Sequence, residues 1–141
     1  MNKYWIIGIV FCISISCKKK EAAPAKCSFE SISGDSKSII GQWKVVEYEN
    51  GHTSPNGGAT LIDLTCKDVF YEFLDSGVLK ISSNHEPLKS EESTFEPIRH
   101  NTSIIEIKIN GSSWPCRLTE NDLILDNRQL DGPIIRMRRI R

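Results

Sequence analysis

From Ile39 to the last residue, apolar side chains recur at every second position in short runs, and Gly, Asn, Asp or Pro closes most of them. A period of two sends successive side chains to opposite faces of an extended strand, whereas a helix needs 3.6, so this pattern commits the region to β-structure. Residues 68–74 show it plainly, with Val69, Tyr71 and Phe73 alternating with Asp68, Phe70, Glu72 and Leu74. Eight such runs are expected to be strands, at residues 42–49, 68–74, 78–83, 92–96, 103–109, 113–119, 122–128 and 134–140. In the fifth, Ile105, Ile107 and Ile109 are expected to face one way and Ile104, Glu106 and Lys108 the other.

The punctuation is that of hairpins. Asn110-Gly111 is the strongest two-residue signal, because both positions of the favoured turn need positive φ. Asp75-Ser76-Gly77, Glu120-Asn121 and Asp131-Gly132-Pro133 give further short connections, and longer loops are expected at residues 50–64 and 84–90. A parallel crossover would need an amphipathic helical segment of ten residues or more, and none is present, so the strands form an antiparallel meander. Eight meandering strands remove their sticky edges by closing, and a closed up-and-down barrel is the expected all-β fold. An open sheet and a two-sheet sandwich are the other arrangements the pattern allows, because the fourth run, beside Pro97, is poorly signalled. Residues 28–40, with Asp35 and Ser36 as caps, are expected to form a short helical turn plugging one end.

The 141 residues amount to about one domain, and 18 Lys+Arg balance 18 Asp+Glu, which leaves no basic face for nucleic acid. At the N-terminus, Lys3 precedes 13 mostly apolar or small residues, 4–16, too short to cross about 30 Å of hydrocarbon as a helix. That is the form of a secretory signal. Ser14-Ile15-Ser16-Cys17 at its end resembles a bacterial lipobox. The resemblance implies a lipoprotein whose residues 1–16 are removed and whose Cys17 carries acyl chains of the palmitate type as a membrane anchor. Residues 18–26 hold four Lys and one Glu with no apolar period, a tether suited to anionic head groups. The expected organisation is thus a signal peptide at 1–16, a lipidated tether at 17–38 and a barrel at 39–141. The bacterial cell envelope is the expected location, as an outer-membrane lipoprotein facing the periplasm or the cell surface.

An oxidising compartment favours disulfides, and Cys27, Cys66 and Cys116 remain once Cys12 leaves with the signal and Cys17 takes the lipid. Cys116 alternates with Trp114 and Leu118 and reads as core, whereas Cys27 and Cys66 lie in polar connections, so Cys27 with Cys66 is the favoured bridge. No Cys or His stands at zinc spacing, and neither a metal nor a cofactor is expected.

Gly41-Gln42-Trp43, preceded by Ile39-Ile40, together with the closing Arg136-Met137-Arg138-Arg139-Ile140-Arg141, resembles the lipocalin (calycin) pattern. Residues 39–49, 68–83 and 122–140 also look like the small lipocalin-like lipoproteins of Bacteroidetes. The resemblance implies that Gly-x-Trp opens the first strand and that a basic side chain of the last strand lies across the Trp ring to close the barrel floor. Parity with Ile135 and Met137 makes that side chain Arg139, stacked on Trp43.

Trp43, Tyr71, Phe73 and Trp114 would point inward, either as packed core or as the wall of an apolar pocket. In the pocket reading, Arg99 or His100 would be a polar handle at the rim. The histidines His52, His85 and His100 all fall in loops, no Gly-x-Ser-x-Gly elbow or phosphate loop occurs, and the adjacent Glu91 and Glu92 point to opposite faces of a strand. The chain is therefore not expected to be an enzyme. The expected function is a monomeric, lipid-anchored binding protein for a small apolar ligand or an envelope partner. The alternatives are a filled barrel acting through its loops as an inhibitor or scaffold, or a hydrolase using a loop histidine.

Overall fold

The structure is a computed structural model that describes residues 27–51 and 59–141. Its strands are β1 (Gly41–Asn50), β2 (Thr60–Asp63), β3 (Val69–Phe73), β4 (Val78–His85), β5 (Leu88–His100), β6 (Ser103–Ile109), β7 (Ser112–Leu118), β8 (Asp122–Asp126) and β9 (Ile134–Arg139). They pair antiparallel in the order β2-β1-β3-β4-β5-β6-β7-β8-β9, and β1 also pairs with β9. One edge of β1 holds β3 along Gly41 to Lys44 and β2 along Glu47 to Asn50; β2 and β3 thus act as one interrupted strand. The other edge holds β9 from Trp43 to Glu49, which closes an eight-stranded up-and-down barrel.

Alternation supplies the core. Trp43, Val45, Phe73, Leu79, Leu123 and Leu125 are all completely buried, each from the inward face of its strand. Three bulges interrupt the register; one lies in β4 between Ile81 and Asn84, and those in β1 and β6 reset the parity of the core. In β1 the register shifts between Val45 and Glu47, so Val46 is the extra residue and Tyr48 takes the inward position that strict alternation would give Glu47. In β6 a shift opposite Ile98 and Arg99 makes Ile105 the extra residue, leaving it 48% exposed while Ile104 is buried. The grouping of Ile105 with Ile107 and Ile109 is thereby corrected.

Three other expectations change. The weak strand at 92–96 is the middle of the 13-residue β5, and the loop expected at 84–90 is the end of β4, a turn at Glu86 and Pro87 and the start of β5. Leu88 to Thr94 pair with β4, and Phe95 to His100 pair with β6. Pro97 lies in the half that β4 does not reach, where a residue without an N–H is tolerated. The loop at 50–64 contains β2. Residues 28–40 form no helix; the one helical element among the described residues is the 3-10 turn Arg128–Leu130. They run instead as a strap over the barrel end, because their donors are taken by the barrel: Ile32 N–H to Arg139 O (3.0 Å) and Gly34 N–H to Glu120 O (3.0 Å). Asp35 turns the strap with its carboxylate on the Lys37 N–H (2.8 Å), an Asx turn rather than a helix cap.

Candidate functional site

The two barrel ends differ in kind. At the end where β1 begins, Trp43 donates its indole N–H to Ile39 O (2.8 Å), and the Arg139 guanidinium carbon lies 4.2 Å from the ring centroid. That guanidinium donates to four backbone carbonyls: Glu120 O, Ile40 O and Asp35 O at 3.1 Å each, and Ser38 O at 2.6 Å. Burial pulls its pKa below the usual arginine value, with the Asp35 charge acting the other way. The strap must pass close over it. A Cβ built on Gly34 would meet the guanidinium stem at 2.6 Å, so only glycine fits there. This end is a sealed floor.

Arg99 belongs to the same end. Its Nη1 donates to Lys37 O (2.9 Å) in the strap, and His100 follows it on the exposed end of β5. Neither residue reaches a rim, because β5 runs from the open end towards the floor.

Among the described residues the opposite end is open, and a cavity of about 300 Å³ enters the barrel there. Every strand of the barrel contributes to it: Tyr48 of β1, Tyr71 of β3, Ile81 of β4, Glu91 of β5, Ile109 of β6, Trp114 of β7, Leu125 of β8 and Ile135 of β9. Pro87, Leu88, Lys89 and Pro133 form its edge. Of the aromatics expected to point inward, Tyr71 and Trp114 line this space. Trp43 lies in the floor, and Phe73 is packed below, its ring 4.9 Å from that of Phe95 in an edge-to-face contact.

Tyr71 apart, the polar groups of the mouth come from residues that pattern alone did not single out as pocket residues. Burial, then the Glu91 charge, then Tyr48 raise the Tyr71 phenol well above its ordinary range, and burial raises Tyr48. Both hydroxyls are therefore neutral donors, and neither has a hydrogen-bond partner among the described residues. Glu91 accepts from Ser93 Oγ (3.3 Å), and the buried Ser93 in turn accepts from Asn110 Nδ2 (3.1 Å) in the β6–β7 turn. Lys89 pairs with Glu86 at 3.5 Å, both side chains well exposed.

Cys27 and Cys66 form a disulfide, and Cys116 is free. Burial and the Glu106 charge push the Cys116 thiol up to about 12, so it stays protonated and inert. Among the described residues no group of three His, Cys, Asp or Glu is placed to hold a metal ion. His85 and His100 stand at opposite ends of the barrel. Residues 1–16, Cys17, the tether to Lys26 and His52 lie outside the described residues.

No protein-family model and no curated protein matches the chain. Among solved structures, the chain is similar to a lipocalin-like protein from Bacteroides uniformis ATCC 8492, at 15% identity and a TM-score of 0.46, over 72% of this chain and 98% of that one. It is also similar to an uncharacterized protein from Bacteroides eggerthii DSM 20697, at 15% identity and a TM-score of 0.45, over 73% of this chain and all of that one. The closed up-and-down barrel, with its Gly-x-Trp opening and last-strand Arg on the floor, has the lipocalin-like fold that the sequence resemblance implied.

Proposed function

We propose that this chain is a binding protein that takes a small, largely apolar molecule into the open end of its barrel and is held at the bacterial envelope by a lipid on Cys17. The observation that carries the reading is the cavity itself. Eight strands make a barrel just wide enough to be filled by side chains, yet this one keeps about 300 Å³ open at one end, at the small end of the range for ligand pockets. Apolar and aromatic side chains supply most of its wall, with the few convergent polar groups that orient a ligand. Among the described residues no Ser, Cys or His lies in the lining, which favours binding over a hydrolase. A ligand of about ten non-hydrogen atoms at roughly 0.5 kcal/mol each would bind with a Kd near 0.2 mM. The signal-like segment, the lipobox-like sequence and the lysine tether support the anchor.

The test is titration with N-phenyl-1-naphthylamine, a neutral apolar dye that brightens on leaving water and accepts energy from Trp. Saturable, one-to-one binding is expected, lost in Ile109→Trp, which fills the cavity, and kept in Arg99→Ala at the floor. Absence of saturable binding, or binding indifferent to Ile109→Trp, would leave the outward-facing reading of an inhibitor, scaffold or envelope-partner protein.

A further inference from the structure

We infer that the molecule this mouth is shaped for carries a cationic amine on a compact apolar body, with the Glu91 carboxylate receiving the ammonium inside the ring formed by Tyr48, Tyr71 and Trp114. The inference rests on the ligand-binding reading above and gives it a chemical class.

Glu91 stands in register with Ile81, which stands in register with Tyr71, so the three side chains form one row across the inner faces of β5, β4 and β3. Its neighbour Glu92 takes the outer face, where it meets Lys80 at 4.0 Å. The inward carboxylate is held by Ser93, which is only 6% exposed and is itself held by Asn110. The two hydrogen bonds run from the exposed carboxylate through one buried hydroxyl to the exposed β6–β7 turn, and they fix the direction in which the carboxylate points. No ion pair within 4.0 Å neutralises Glu91 among the described residues, because Lys89, the one cation of the lining, turns to Glu86. The mouth therefore offers one uncompensated negative charge beside three aromatic rings and two unpartnered hydroxyls. A cation is attracted both by a carboxylate and by the negative faces of aromatic rings, and the attraction grows where water is excluded. The raised Tyr71 phenol agrees with this placement, since the Glu91 charge is one of its causes. An acid of the same shape would have to enter against the Glu91 field.

The experiment displaces the dye with three ligands of one shape: 2-naphthylmethylamine, protonated at pH 7, 2-naphthylmethanol and 2-naphthoate. In the parent protein the amine is expected to bind at least tenfold more tightly than the alcohol, with the carboxylate weakest. Glu91→Gln should bring amine and alcohol within about twofold of each other, whereas Glu92→Gln, which removes the same charge from the outer face, should leave the tenfold preference in place. Thermal unfolding of both variants checks that the barrel is intact. Equal affinities for amine and alcohol, a preference for the carboxylate, or an amine preference that survives Glu91→Gln would overturn the inference while the binding reading stands. If neither the dye nor any of the three binds, both fall together.

Discussion

Replacing Arg139 tests the floor directly. Its guanidinium donates to four carbonyls, three in the strap and one in the β7–β8 turn, while lying against Trp43. Met keeps the stem's apolar volume and donates nothing, so Arg139→Met leaves all four carbonyls without this donor. A hydrogen bond from a charged group contributes about 1.5–3 kcal/mol, and removing the guanidinium returns the cost of having desolvated it. With roughly half of the bonding thus offset, a net loss of about 3–6 kcal/mol is expected. Arg139→Lys keeps the charge but loses the planar fork, and should lose less, about 1–2 kcal/mol. The assay is urea unfolding followed by Trp fluorescence, reading the midpoint shift at unchanged m-value.

A double-mutant cycle then isolates the stack. Trp43→Phe keeps a ring but deletes the N–H held by Ile39, so its coupling to Arg139→Met reports mainly the shared grip on the strap. Trp43→Leu deletes the ring as well, and the coupling should grow by at least about 0.5 kcal/mol. Equal couplings in the two cycles would refute the stacking argument, and a loss below about 1 kcal/mol for Arg139→Met would refute the claim that the strap is held through this side chain.

Cys17→Ala should move the protein from the membrane fraction to the soluble one; firm retention in membranes would refute anchoring through Cys17. Cys27→Ser and Cys66→Ser should each cost about 2–5 kcal/mol and by similar amounts, as expected for two ends of one bridge. Cys116→Ala should cost less, mainly through packing, in the same denaturation assay. Tyr71 has a folded pKa raised above its ordinary 10.0, so its contribution is fully present below pH 10 and is lost as pH rises from there towards the folded value, at up to about 1.4 kcal/mol per pH unit. Unfolding measured from pH 8 to 11.5 should therefore fall less steeply in Tyr71→Phe than in the parent. Lys44, whose pKa burial lowers, titrates in the opposite sense in both proteins and cancels in that comparison.

The floor was legible because Gly41-Gln42-Trp43 and the basic last strand resemble the lipocalin pattern, which implies a cation stacked on the Trp. Gly-x-Trp and the parity of the last strand located both partners, and Asn110-Gly111 announced a turn whose two residues do have positive φ, 49° and 82°. The mouth was less legible, for two physical reasons. A bulge adds a residue that looks like any other, so nothing between Val45 and Glu47 shows that Val46 shifts the parity and carries Tyr48 inward. The inward positions of β5 near the mouth, Lys89, Glu91 and Ser93, are polar because they border a wet opening, and polar residues on both faces erase the alternation by which a strand is recognised. That Glu91 and Glu92 face opposite ways follows from sequence; which of them faces in is decided by pairing with Ile81, a contact between strands.

The bridge between Cys27 and Cys66 encloses the strap, β1 and β2 in one covalent ring. A protease that cuts any single peptide bond between those two cysteines therefore does not divide the molecule. The N-terminal fragment, carrying everything before Cys27, stays tied to the fragment that holds the remaining seven strands, and only reduction separates them. On a gel, such a nicked protein would run as one species until thiol is added, and at a membrane it would still be retained by whatever its N-terminal portion holds on to.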